Sequence, residues 1–410
     1  MKVVGIITEY NPFHNGHKLH LEATRETTSA DGIVCVMSGN FTQRGIPAIL
    51  DKWTRAKMAI ENGVDLVLEI PTLFAVSSAE FFAKGAVDLL NSLGIVDSLC
   101  FGSESENIDL IYSIAKILTN EPMELKMIIK NEMDNGEPFT KARSTAILKY
   151  LLNSNSSLNK ERILPLLNSS NNILGIEYCK NLIKTHSNIK PFTIKRIGSS
   201  YNDVIPTSEF ASATSIRELI NKNVSINELE RYIPKASLHI LTDILQEGYK
   251  LPSSEEMFYY IKYKLLTNPT LINKIPDVIE GLDNKIRKEI INATSLTDLI
   301  LKIKSKRYTY TRISRILCQF FIGFDGFNII DLRKCTPSYI RILALNSKGA
   351  QILKLIKKNS QLEIINKPPK YINDPMLKLD IQATNAYSIL NPQIPINSDY
   401  IISPIVNFKK

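Results

Sequence analysis

A chain of 410 residues, 44% apolar and 22% charged, is long enough for two cores and has ordinary globular composition, which excludes a disordered or fibrous protein. Its five cysteines, Cys35, Cys100, Cys179, Cys318 and Cys335, are scattered, without the close pairs of a zinc site or disulfide scaffold, and are expected to be reduced core residues. The net charge of +9 is C-terminal: residues 1–225 carry 23 Lys+Arg against 24 Asp+Glu, residues 226–410 carry 27 against 17, which points to a separate surface for a polyanion, nucleic acid rather than membrane.

The apolar run at the N-terminus is too short for a signal peptide, and no run of about 18 apolar residues follows, so a cytoplasmic protein is expected. Lys2–Ile7, Gly32–Met37, Asp65–Ile70 and Ser98–Phe101 are short, apolar and rich in β-branched residues, as buried strands are. Helical patterns over His17–Thr27, Lys52–Asn62 and Ala79–Leu93 lie between them. Alternation of this kind predicts a parallel sheet with crossover helices and a ligand site at the carboxyl ends of the strands. A helical insertion at about 105–165 follows, with stretches near Ile108–Leu118, Met123–Met133 and Phe139–Leu152. The α/β pattern returns with a helix near Asn172–Lys184, a strand at Pro191–Ile197 and a helix from about Thr214, and the core is expected to close near Val224. A mainly helical, basic domain is expected over 225–410, ending in a Pro- and Asn-rich tail.

Glu9-Tyr-Asn-Pro-Phe-His-Asn-Gly-His17 falls where the first strand ends and the first helix begins. Free N–H groups at a helix start face a phosphate, Gly16 allows close backbone approach, and imidazoles three residues apart can stabilise phosphate oxygens. Read without that position, the same residues form an Asn-Gly turn flanked by solvated histidines, or a fragment of a metal site.

Asn11-Pro-Phe-His-Asn-Gly-His17 resembles the His-x-Gly-His signature of the HIGH-type nucleotidyltransferase superfamily, and Ser212-Ala-Thr-Ser-Ile-Arg217 resembles its second signature. Ala213 departs from the usual Ser. A narrower resemblance, to the bacterial tRNA(Met) cytidine acetate ligase family, covers Val36–Gly45, Asp51–Arg55, Asp65–Pro71, Cys100–Glu104, Asn171–Tyr178 and Lys306–Arg312. It implies a Rossmann-like (HUP-type) α/β fold. It also implies attack of acetate on the α-phosphate of ATP, bound with Mg2+, and acetyl transfer from acetyl-adenylate to N4 of the wobble cytidine in the anticodon loop of elongator tRNA(Met).

The resemblance implies catalytic roles for His14, His17 and Arg217. ATP contacts are expected from Ile7, Thr8, Glu9, Tyr10, Asn11, Pro12, Phe13, His14, Asn15, Gly16, His17, Lys18, Leu19 and His20, and from Gly102, Asn171, Arg196, Ser212 and Thr214. No metal-ligating residue is assigned. Arg196 would otherwise be a solvated strand-end charge, and Asn171 or Asn172 a helix cap. Ser38, Gly39, Asn40 and Arg44 follow the second strand and are expected to line the acetate or acceptor side, unless they form a mobile surface loop. Lys52 and Arg55 share a helix face that serves phosphate or only solvates the helix.

Leu301–Arg315 holds Lys302, Lys304, Lys306, Arg307, Arg312 and Arg315, no acidic residue, and the interleaved Tyr308 and Tyr310. Basic groups with tyrosines suit phosphate contacts and stacking on unpaired RNA bases, against the alternative of a solvated basic helix. Two other functions fit parts of the pattern: an adenylyltransferase making a dinucleotide coenzyme, and a non-catalytic tRNA-binding protein.

Overall fold

The computed structural model describes residues 1–137, 139–154, 160–196, 211–222, 224 and 226–408. Eight strands form one sheet: β1 (Val3–Thr8), β2 (Gly32–Ser38), β3 (Leu66–Ile70), β4 (Ser98–Ser103), β5 (Lys190–Lys195), β6 (Tyr339–Asn346), β7 (Glu363–Ile365) and β8 (Ile405–Asn407). Their order is β5-β4-β1-β2-β3-β6-β7, and β8 also pairs with β6. The first five are parallel neighbours. β2 and β3 are buried on both faces, which explains why these segments read as continuous apolar runs rather than as alternating ones.

Successive strands β1, β2 and β3 advance one way across the sheet while β4 and β5 lie on the other side of β1. The crevice beyond the carboxyl ends of β1 and β4 is therefore a topological switch point, the place where open α/β sheets bind ligands. Crossover helices Asn15–Thr28, Lys52–Glu61 and Ala79–Ser92 connect the first four strands, and Ser170–Lys184 leads into β5. Between β4 and that last helix stand Ile108–Thr119, Met123–Asp134, Phe139–Ser154 and Lys160–Asn168. Ile197, the final residue of the expected fifth strand, lies outside the described residues.

The sheet does not close near Val224. Residues beyond 225 are mostly helical, but β6 returns from the C-terminal part to pair antiparallel with β3, Leu66 facing Leu345 and Glu69 facing Arg341. The expected tail also differs from the sequence reading. Pro375–Leu390 is a helix with a buried face, started by Asp374, whose carboxylate accepts the N–H groups of Met376 (2.8 Å) and Leu377 (3.1 Å), with Pro375 at the first helical position. Such an Asp-Pro start supplies a capping acceptor and a preset φ.

Charged side chains fasten this C-terminal part to the sheet. Lys52 is fully buried; its Nζ donates to both Glu69 oxygens (2.9 and 2.8 Å) and to Asp399 Oδ1 (2.8 Å), and Asp399 also accepts from Arg341 (3.1 Å). Arg55 is equally buried and donates to the carbonyls of Leu50 (2.9 Å), Glu9 (2.6 Å), Ser38 (3.1 Å) and Gly39. The shared helix face of Lys52 and Arg55 thus serves neither phosphate nor solvent. Four cysteines are buried, but Cys335 is exposed; it follows the short helix Ile329–Leu332, so the core assignment fails for it. No helix among the described residues is long and apolar enough to cross a membrane.

Removing one partner of a buried ion cluster leaves uncompensated charge and costs about 3–5 kcal/mol. Asp399→Ala strips Arg341 of its carboxylate, so denaturant unfolding should show a loss of that order. A loss below about 1 kcal/mol would mean that the cluster does not hold the C-terminal part to the sheet.

Candidate active site

The first helix is capped by the histidines themselves. His14 is its N-cap residue, and the Nδ1 of its side chain accepts the N–H of Gly16 (3.1 Å), while His17 Nδ1 accepts the N–H of His14 (3.3 Å). The rings stack, centroids 3.7 Å apart. A nitrogen that accepts an N–H carries no proton, so in the neutral ring the proton sits on Nε2. Burial, then Arg196 and Arg217, pushes the His14 pKa down to about 3. Burial, then His14 and Arg196, holds that of His17 well below its usual value. Both are neutral at pH 7, and each leaves an Nε2–H as a donor for an anion. A Cβ at Gly16 would stand 3.0 Å from the His14 ring and press on it.

These rings line a cavity of about 220 Å³ at the switch point. Tyr10, in the left-handed region at φ 49°, turns the chain out of β1 toward the helix. Arg217 holds that turn, donating to Asn11 O (2.7 Å) and Thr214 Oγ1 (3.0 Å). Arg196 follows β5 on the cavity wall, its N–H bonded to Ser103 O (3.0 Å). His20, also on the wall, has its pKa pushed down to about 4 by burial and then Arg196, and its Nε2 is buried without a hydrogen-bond partner. Among the described residues Glu9 is the acidic side chain of the wall; Gln43 N–H donates to it (2.6 Å), and burial raises its pKa. Arg196, Arg217 and three neutral imidazoles around one carboxylate suit a polyphosphate.

Of the expected ATP contacts, Ile7, Thr8, Glu9, Tyr10, Asn11, His14, Gly16, His17, Leu19, His20, Gly102, Asn171, Arg196, Ser212 and Thr214 are on the wall. Pro12, Phe13, Asn15 and Lys18 are not. Phe13 is core, Asn15 bonds to Arg231 O (2.9 Å), and Lys18 is exposed beside Glu22 (3.9 Å). Ser212 Oγ accepts Ser215 N–H (3.0 Å) as a helix cap. Asn172 is not a cap: its buried Oδ1 accepts from Ser103 Oγ (2.6 Å) and Glu104 N–H (3.1 Å). The Glu104 carboxylate in turn accepts the Asn172 N–H (3.1 Å) and Asn171 Nδ2 (2.7 Å).

On the expected acceptor side only Arg44 reaches the wall. Ser38, Gly39 and Asn40 are buried behind it, Asn40 Oδ1 accepting Lys52 N–H (2.8 Å). The loop is no mobile surface segment: Gly45, at φ 74°, lies against the Arg315 backbone, where a Cβ would come within 2.5 Å. Gln43, Phe101, Leu174, Tyr178, Ile194 and Lys195 also line the cavity. Sequence reasoning missed them because the wall they build comes from four separate elements, and none carries a local signal.

The basic segment divides in the structure. Lys304, Lys306 and Arg307 are exposed, Lys302 is tied to Asp298 (2.7 Å), and Tyr310 is 39% exposed. Tyr308, by contrast, is buried, with its OH donating to Ile279 O (3.0 Å) and the Arg312 guanidinium over its ring. It is not available to stack on a base. Arg315 is half-buried.

A HIGH Nucleotidyl Transferase family model matches residues 1–399. A tRNA(Met) cytidine acetate ligase of Clostridium perfringens is 52% identical over 99% of this chain and 100% of its own length, and one of Clostridium tetani is 50% identical at the same coverage. The chain belongs to the tRNA(Met) cytidine acetate ligase family. Thermotoga maritima TmcAL is similar throughout, with 36% identity and a TM-score of 0.91 for its apo crystal form, and 35% and 0.90 for the form bound with alpha-thio ATP, each covering 100% of both chains. Membership in this family accounts for both signatures meeting at one cavity.

Two outcomes test the site. Nothing lies within 4 Å of a Cβ added to Gly102 on the wall, so Gly102→Leu should fold normally yet fill nucleotide space and weaken ATP binding by about tenfold or more in calorimetry, which is about 1.4 kcal/mol; unchanged affinity would move ATP elsewhere. Unfolded His14 takes a proton near pH 6.5, but the folded residue only near pH 3. Stability is therefore full above about pH 6.5 and falls as pH drops below it, by up to about 1.4 kcal/mol per pH unit for this one residue. Denaturant titrations of His14→Gln between about pH 7.5 and pH 5 should show a shallower fall than wild type. Parallel curves would contradict a neutral, buried His14.

Proposed function

We propose that this chain uses ATP and acetate to form acetyl-adenylate and transfers the acetyl group to N4 of the wobble cytidine, position 34, of elongator tRNA(Met), giving N4-acetylcytidine. The observation that carries the reading is the stacked histidine pair, whose Nδ1 atoms accept backbone N–H groups and so leave the proton of each neutral ring on Nε2, on the wall of a cavity shared with Arg196 and Arg217. An acetate oxygen attacks the α-phosphorus, that O–P bond forms, and the bond to the bridging oxygen of the β-phosphate breaks to release pyrophosphate. Positioned donors stabilise the charge that grows on the phosphate oxygens in this step. The cytidine N4 then attacks the acetyl carbon, loses a proton, and AMP departs.

Neutral histidines suit this cycle: they add no charge repulsion to the arginines while the cavity is empty, yet donate as soon as an anion arrives. Magnesium would come with the nucleotide, held by phosphate oxygens and water. Among the described residues no group of three or more His, Cys, Asp or Glu converges. Arg44 is the cationic residue of the acceptor-side loop on the wall and suits a contact with acetate or the cytidine. The anticodon loop is received by the exposed Lys304, Lys306, Arg307 and Tyr310, and the cytoplasm, where tRNA is, is the place of action.

Acetate should stimulate ATP–pyrophosphate exchange and nicotinamide mononucleotide should not, which separates this function from dinucleotide synthesis and from a non-catalytic RNA binder. Changing Lys304, Lys306 and Arg307 together to Glu should preserve that exchange while weakening tRNA binding and reducing its log–log salt slope by roughly 2–3, about one for each phosphate no longer neutralised. Exchange without any response to acetate would overturn the chemistry; an unaltered salt slope would move the RNA elsewhere.

A further inference from the structure

Three arginines gather around one residue, Asp277: Arg333 on its carboxylate, Arg312 on its backbone carbonyl, and Arg315 within range of its charge. Arg333, 5% exposed, donates to Asp277 (3.4 and 3.3 Å) and to Ser77 Oγ (3.1 Å), with its guanidinium over the Phe81 ring. Arg312, on helix Tyr310–Ile322, donates to the Asp277 carbonyl (3.1 Å). Arg315, one turn further along, feels Asp277, Arg312 and Arg333, and burial lowers its pKa. The Nε groups of Arg315 and Arg333 are both buried and have no acceptor. Leaving guanidinium N–H groups unbonded in low dielectric is costly, and one carboxylate cannot balance three cations.

The cluster is joined to the cavity by short steps. Ser77, which Arg333 holds by its hydroxyl, accepts Gln43 Nε2 through its carbonyl (3.1 Å), and Gln43 is on the cavity wall. Gly45 lies directly on the Arg315 backbone, and Ser314 Oγ donates to the Gly45 carbonyl (3.1 Å). The arginines are therefore linked to loop 42–46, which lines the cavity, and Arg312 and Arg315 lie on the helix that follows the exposed basic groups at 304–307.

We infer that Arg312, Arg315 and Arg333 form a seat for one phosphate of the RNA backbone, which registers the acceptor nucleotide against the adenylate cavity. The inference rests on the proposed tRNA function and adds a specific site to it. Guanidinium forks match phosphate oxygens in pairs, and an incoming phosphate supplies both the missing negative charge and the missing acceptors. The exposed lysines contribute affinity for any polyanion, whereas a half-buried seat with fixed geometry contributes register.

Arg315→Met separates this role from a structural one. The buried Nε of Arg315 has no acceptor to lose, and its attraction to Asp277 is opposed by burial and by Arg312 and Arg333, so the melting temperature should change little. With full-length tRNA(Met), KM for tRNA should rise about tenfold or more, the salt slope should fall by about one, and KM for ATP in acetate-dependent exchange without RNA should not move. Arg315→Lys, which keeps the charge but not the fork, should recover the salt slope and only part of the KM. If Arg315→Met raises the KM for ATP in the RNA-free assay, the seat takes the triphosphate tail and the RNA assignment is overturned. Wild-type tRNA kinetics in Arg315→Met overturn the seat altogether. If wild-type protein itself acetylates no tRNA, the functional reading fails first, independently of the seat.

Discussion

The architecture of the site depends on Arg55. At the carboxyl ends of parallel strands the last carbonyls have no ladder partner, and leaving them buried and unbonded would be costly. One guanidinium, with donors in a fixed fork, takes those of Glu9, Ser38, Gly39 and Leu50 together. It thereby fixes the end of β1, the end of β2 and the return of the loop between them. A lysine, with its charge at a point, could not span four acceptors in this arrangement. Everything that lines one side of the cavity, Glu9, Gln43 and Arg44 included, hangs from this knot.

The same helix carries the second fastening one turn earlier. Lys52 draws in Glu69 from β3 and Asp399 from near the C-terminus, and Asp399 draws in Arg341 of β6. Burial opposes ionisation of Lys52, but the two carboxylates outweigh it and raise its pKa. A chain whose final strands complete the sheet begun by its first residues cannot shed its C-terminal part as an independent unit without exposing this cluster. The helices that carry the basic segment belong in this way to the same body as the cavity.

Much of this was legible in the sequence, and what was not has a physical cause. The first four strands and their crossover helices announce themselves by apolar runs and helical spacing, and no observed bound differs from the expected one by more than two residues. The two histidine and arginine signatures lie on local features, a strand end and a capped helix start. By contrast β6 contains Arg341, and a buried arginine in an apolar run reads as an interruption unless its distant carboxylate is known. Lys52 and Arg55 defeat the reading for the same reason: three-residue spacing tells that they share a face, but the partners that bury them are remote in sequence, 17 residues away for Glu69 and Ser38 and 347 for Asp399. Tyr308 reads as a free ring because the Ile279 carbonyl that takes its hydroxyl is 29 residues away. The helix at Pro375 was readable from Asp374-Pro375 and was hidden by the prolines around it.

The charges in the two ligand-facing regions are arranged oppositely. In the cavity the histidines are kept neutral, so that Arg196 and Arg217 are tolerable beside them, and Glu9 offsets part of the positive field. Behind loop 42–46 the arginines are permanent cations that outnumber Asp277. A site that must bind ATP and release pyrophosphate and AMP in every turnover gains from donors whose strength appears only when an anion is present. A site that registers a large RNA already attracted by exposed lysines gains from fixed charge and fixed geometry. The loop that separates them is pinned by the Arg55 guanidinium on one side and, on the other, by the backbone at Arg315 and the Ser314 hydroxyl rather than by the Arg315 side chain.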